Sequence, residues 1–109
     1  MTKVKKNTKI ISPVTPGELL LEEFLKPLGL TKYRLAKEIA VPPQRIGDIV
    51  AGKRSVSVDT DLRLCKYFGL TPGYWLRVQA AYDIAMEQAR IADSIERIVP
   101  YNSTAMPAK

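Results

Sequence analysis

An all-α fold of five helices is predicted for this 109-residue chain by three features. Ser and Thr residues that can cap a helix recur ahead of apolar residues at helical spacing. Gly and Pro punctuate the intervals between them. No segment alternates apolar and polar residues as a solvated strand would, and no hairpin dipeptide such as Asn-Gly occurs. The length fits a single domain.

The elements follow in order. Residues 1–13 carry no helical period and read as a flexible basic arm. Thr15-Pro16-Gly17-Glu18 then offers a cap, a proline at the first helical position and a glutamate three residues after the cap. Leu19, Leu20, Phe24 and Leu25 form the apolar face of this first helix, which Pro27 is expected to end. Thr31 caps a second helix with Leu35, Ala36 and Ile39 inward. A third begins at Pro42-Pro43, buries Ile46, Ile49 and Val50, and stops at Gly52. Ser57 caps a fourth, with Asp59 and Asp61 expected to complement the helix dipole and Leu62, Leu64, Cys65 and Phe68 expected in the core. Thr71-Pro72 opens a long fifth helix, expected to run from about Gly73 towards Val99 before Pro100. The division is an arm at 1–13, a helical domain at 14–99 and a polar tail at 100–109.

Composition narrows the chemistry. Histidine is absent and Cys65 is the single cysteine. That excludes Ser-His-Asp and Cys-His catalysis, zinc sites built from several Cys or His, and an intramolecular disulfide. No cofactor is expected. Apolar runs are too short to span a membrane and the N-terminus lacks a signal-peptide pattern, so a cytoplasmic location is expected. The net charge is +6, from 17 Lys and Arg against 11 Asp and Glu. Residues 1–14 contain four lysines and no acid, and residues 31–54 contain six basic residues against two acids. Two basic blocks on an otherwise nearly neutral chain point to a polyanion, most simply nucleic acid.

The second block coincides with a motif. KYRLAKEIAVPPQRIGDIVA, residues 32–51, fits two short helices joined by a tight turn, with small Ala36 at their crossing. Leu35, Ile39, Val41, Ile46 and Ile49 lock the pair. In a helix-turn-helix the second member enters the major groove with its N-terminal residues towards the bases. Gln44 suits adenine and Arg45 suits guanine. Lys53 and Arg54, beyond Gly52, suit the sugar-phosphate backbone. Thr31 and Lys32 open a helix whose free N–H groups can seat a phosphate. Asp48 would either accept from cytosine N4 or repel a phosphate. Ala40 stands where glycine is common, and a left-handed backbone there costs about 1 kcal/mol. Pro42 and Pro43 remove two N–H donors from the start of the reading helix, which shifts contact onto side chains.

Four segments in register resemble one family: PGELLLEEFLKPLGL, YRLAKEIAVPPQRI, GKRSV with DTDLRLCKYFG, and PGYWLRVQAAYD. Over roughly residues 13–85 the chain resembles the lambda-repressor-like DNA-binding proteins of five helices, and more narrowly the HigA (VapI-type) antitoxins. The resemblance implies a dimeric repressor of its own operon whose partner is an mRNA-cleaving, HigB-like toxin. A stand-alone phage-type regulator, a module that binds only proteins, and a small basic ribonuclease are the alternatives. The ribonuclease would need basic groups converging on one concave surface.

Other residues have structural readings. Thr31, Ser57 and Thr71 are expected as caps, Arg34 and Lys37 as solvated surface, and Cys65 as a small buried hydrophobe. Trp75, Val78 and Tyr82 are expected to close the core. Ile84, Ile91, Ile95 and Ile98 continue an apolar stripe past it, which implies a partner surface. The simplest partner is the same helix of a second subunit. Such a twofold dimer would present two reading helices to a pseudo-palindromic double-stranded DNA site.

Overall fold

The structure is a computed structural model that describes residues 13–102. Residues 1–12 of the expected basic arm and residues 103–109 of the expected tail lie outside the described residues. The described residues are all-helical, with six helices and no strand.

Helix α1 is built of three contiguous stretches, Pro16–Leu19, the π-helical Leu20–Leu25, and Lys26–Leu28. Its start is the expected capping box, with Thr15 Oγ1 accepting from Glu18 N and Glu18 Oε1 accepting from Thr15 N. Pro27 does not end the helix. The wider π turn ahead of it, marked by Lys26 N donating to Leu21 O, accommodates a ring that would crowd an ordinary turn. The helix instead ends at Gly29, whose φ of 62° turns the chain so that Leu30 N donates to Leu25 O.

Helices α2 (Lys32–Ile39) and α3 (Pro43–Val50) pack closely through the turn at Ala40. Ala40 adopts the left-handed conformation at φ 61°, and among the described residues it is the sole non-glycine to do so. Val41 N then donates back to Ala36 O at 3.0 Å, closing the turn. Helix α1 meets α3 from the other side. A methyl group on Gly17 would fall 1.9 Å from the Ile49 carbonyl oxygen, so only glycine permits this approach.

Helix α4 (Val58–Phe68) is capped by Ser57, which accepts from Thr60 N. Leu64 and Cys65 enter the core as expected, but Leu62 is 50% exposed. Its inward place is taken by Thr60 and Asp61, both 1% exposed. Asp61 is therefore more than a dipole partner for its own helix. Its carboxylate accepts from Gly73 N at 2.7 Å, Trp75 N at 2.8 Å and Leu76 N at 3.2 Å, and so caps the following helix, α5 (Tyr74–Arg90). Thr71 does not cap α5. Gly73 holds the cap position with φ 95° and supplies no side chain, so the acceptor comes from α4.

The core is completed by Leu20, Leu25, Leu35, Ile46, Val56 and Trp75. Phe24 joins the layers, with its ring 4.8 Å from Phe68 and 5.1 Å from Trp75. Val78 and Tyr82 are half-buried at its margin. Burial, with the nearby Glu23 charge second, raises the pKa of the adjoining Tyr74 hydroxyl.

The fifth helix is not continuous to Val99. It breaks at Ile91, with φ −111° and ψ 24°, and a short α6 (Ala92–Glu96) follows. Every residue from Met86 to Val99 except Ile91 is exposed, so no packing enforces the helical ladder there. Asp93 and Ser94, whose side chains compete for backbone groups, suit the first turn of α6 better than a helix interior.

Asp61→Ala would leave three N–H groups at the start of α5 without their acceptor. It should lower unfolding free energy by about 3 kcal/mol or more in urea titration. A loss below about 1 kcal/mol would show that the carboxylate does not hold α5 in place.

Candidate nucleic-acid interface

The basic block 31–54 folds into α2, its turn, α3 and the loop beyond. Thr31 is spent partly on structure, since its Oγ1 accepts from Arg34 N at 2.9 Å, and Lys32 follows it fully on the surface. Arg34 pairs with Glu38 at 2.8 Å, and that hydrogen bond raises its pKa above the ordinary value. The expected reading of Arg34 as part of a solvated face is consistent with this.

The start of α3 is built from prolines. Pro42 occupies the cap position and Pro43 the first turn, with no side-chain cap. Arg45 N already donates to Pro42 O at 2.9 Å. Few backbone donors remain to hold an anion, so contact at this end falls on side chains. Gln44 is exposed and free to make it. Asp48 lies one turn further on the same helix face and is half-buried. Its carbonyl accepts from Lys53 N at 2.8 Å, which folds the post-helix loop back over the end of α3. Gly52, at φ 78°, makes that reversal possible. Lys53 and Arg54 are exposed beyond it and line a groove of about 200 Å³ with Gly17, Gln79 and Tyr82.

Arg45 departs from the expectation that it points freely outward. Its side chain is 27% exposed, and one terminal nitrogen lies 3.5 Å from Asp59 Oδ2 on α4. Its Nε is buried, with no hydrogen-bond partner among the described residues. Asp59 in turn accepts from Arg63 Nε at 3.0 Å, and Arg63 donates to Ile39 O at 2.8 Å and Ala40 O at 3.4 Å. Arg63 was not a candidate from sequence. Its spacing of four from Asp59 was a readable signal for a helical ion pair, but nothing local revealed its reach to the turn.

Helix α3 thus brings Gln44, Arg45 and Asp48 together, while Lys53 and Arg54 are anchored at its far end. The isoleucines belong to α5 and to the segment that follows it. Ile84, Ile95 and Ile98 are 56%, 50% and 65% exposed, and Ile91 is half-buried at the break between α5 and α6. They flank a bend and do not form one straight stripe. Among the described residues no group of His, Cys, Asp or Glu could hold a metal ion, and no helix is long and apolar enough to cross a membrane.

Comparison with known proteins places this arrangement. A helix-turn-helix family matches residues 21–75. Virulence-associated protein I of Dichelobacter nodosus is 45% identical over 92 residues, which cover 84% of each chain. The structure of an addiction-module antidote protein of the HigA family from Coxiella burnetii is 42% identical, with a TM-score of 0.78, and covers 84% of this chain and 100% of that one. The antitoxin HigA of Pseudomonas aeruginosa, solved with the higBA promoter, is 32% identical with a TM-score of 0.76, over 81% of this chain and 97% of that one.

Proposed function

This chain belongs to the HigA (VapI-type) family of helix-turn-helix antitoxins, and on that premise we propose that it is the antitoxin of a bacterial type II toxin–antitoxin pair and a sequence-specific repressor of its own operon. The observation that carries this reading is the α2–α3 pair, whose second helix exposes Gln44 at its start and is followed by an anchored, exposed Lys53-Arg54 loop. Base reading is assigned to Gln44 and Arg45, with Asp48 at the edge of the same face. Backbone positioning is assigned to Thr31, Lys32, Lys53 and Arg54. The protein works by binding and not by catalysis, in the cytoplasm, with a HigB-like toxin as its protein partner.

The operator is pseudo-palindromic and the protein binds it as a homodimer. Exposed Ile84, Ile95 and Ile98, with Ile91 between them, supply the apolar surface for the twofold contact. Sedimentation equilibrium at micromolar concentration should return twice the 12.2 kDa chain mass. A clean monomer would remove the dimer.

Two substitutions separate reading from positioning. Arg45→Ala should cost ~1–3 kcal/mol at one base position of the operator, and little elsewhere. Lys53→Ala should weaken all DNA alike and lower the salt slope of binding by about one. If both variants bind every DNA as the parent does, the assignment of α3 as the reading helix is wrong.

A further inference from the structure

We propose that Asp59 is a positioning residue that latches Arg45 in the free protein, so that Arg45 reaches a base only by leaving Asp59. The proposal rests on the reading of α3 as the DNA-reading helix. Three observations support it. First, the hold on Arg45 is weak, since its contact with Asp59 is 3.5 Å, whereas Arg63 sits 3.0 Å from the same Oδ2. Second, the latched posture leaves Arg45 Nε buried and without a hydrogen-bond partner among the described residues, a cost that release relieves. Third, Asp59 loses little when Arg45 departs. Arg63 stays bonded to it and is itself fixed through its bonds to Ile39 O and Ala40 O.

The consequence is discrimination. While latched, Arg45 shares one carboxylate with Arg63, so its charge is partly offset and its guanidinium is turned towards α4, less available to a passing phosphate. A base edge that accepts two hydrogen bonds from the guanidinium can compete with the latch, and a single diffuse phosphate contact competes poorly. Asp59 therefore raises the selectivity of a helix whose prolines leave it few backbone contacts. Arg63 bridges Asp59 to the carbonyls of Ile39 and Ala40, which ties the latch to the turn that precedes α3.

The test is a double-mutant cycle of Asp59→Asn with Arg45→Ala, read by anisotropy on operator-length DNA from upstream of the gene and on scrambled DNA. Thermal melts confirm that each variant is folded. In the parent background Asp59→Asn should tighten binding by about threefold to tenfold, within the range of coupled neighbours, and more on scrambled DNA than on the upstream fragment. In the Arg45→Ala background the same change should have less than about a twofold effect. Equal tightening in both backgrounds would reduce Asp59 to a general negative charge and overturn the latch. Weaker upstream binding by Asp59→Asn in the parent background would also overturn it, since Asp59 would then support Arg45 in the bound state. A normal affinity for the Arg45→Ala single variant on the upstream DNA would instead refute the assignment of Arg45 as a base-reading residue, which keeps the two failures apart.

Discussion

One buried carboxylate sets the geometry of this protein. Asp61 sits inside the helical domain, 1% exposed, where an unpaired negative charge would cost several kcal/mol. It is stabilised by three backbone N–H groups at the start of α5 and by the positive end of that helix's dipole. The exchange is reciprocal, because those donors would otherwise be orphaned on a helix that starts at a glycine. The direction in which α5 leaves α4 is fixed as a result. From there α5 drives Trp75 into the core, and Gln79 accepts from Val56 N at 3.3 Å, pinning the loop between α3 and α4. Helix α4 also carries Asp59 and Arg63, which bear on the reading helix and its turn. The orientation of the exposed isoleucines and the disposition of Arg45 both descend from the placement of α4 against α5.

What the sequence disclosed followed the range of each interaction. The Thr15–Glu18 capping box spans three residues, and both its hydrogen bonds form as the residue types require. The left-handed Ala40 was readable for the same reason, since the helix-turn-helix spacing forces a tight reversal at that position. Helical periodicity placed Leu35, Ala36, Ile39, Ile46 and Ile49 correctly because they recur on the side of each helix that is buried in the core. Two failures are local, at Pro27 and at the Ile91 break, and the others are non-local. Asp61 and Asp59 look alike in sequence, two acids in one first turn, yet one caps a helix more than ten residues away and the other reaches Arg45 across fourteen. Gly17 passed for part of a cap, although its purpose is to let α1 touch the Ile49 carbonyl. Leu62 was assigned inward by its type, and the buried acid beside it claimed that face.

The candidate interface shows the same division. The exposure of part of it was legible, because Gln44, Lys53 and Arg54 are on the surface where the motif expects them. Its restraint was not. A helix that begins with two prolines, as α3 does, has few backbone donors, and its arginine is largely covered and neighbours a carboxylate. Such a surface binds DNA sparingly unless side chains find matching bases. That suits a repressor that must ignore the bulk of the chromosome while holding one operator.

The most direct test of sequence-specific repression is fluorescence anisotropy of the full chain on DNA from immediately upstream of its own gene, across a salt series, against scrambled DNA of equal length. Tight binding to the upstream fragment alone, falling steeply with salt, is the predicted result. Equal and weak binding to both DNAs would contradict it, leaving a basic surface without readout and the apolar C-terminal helices as the principal functional surface.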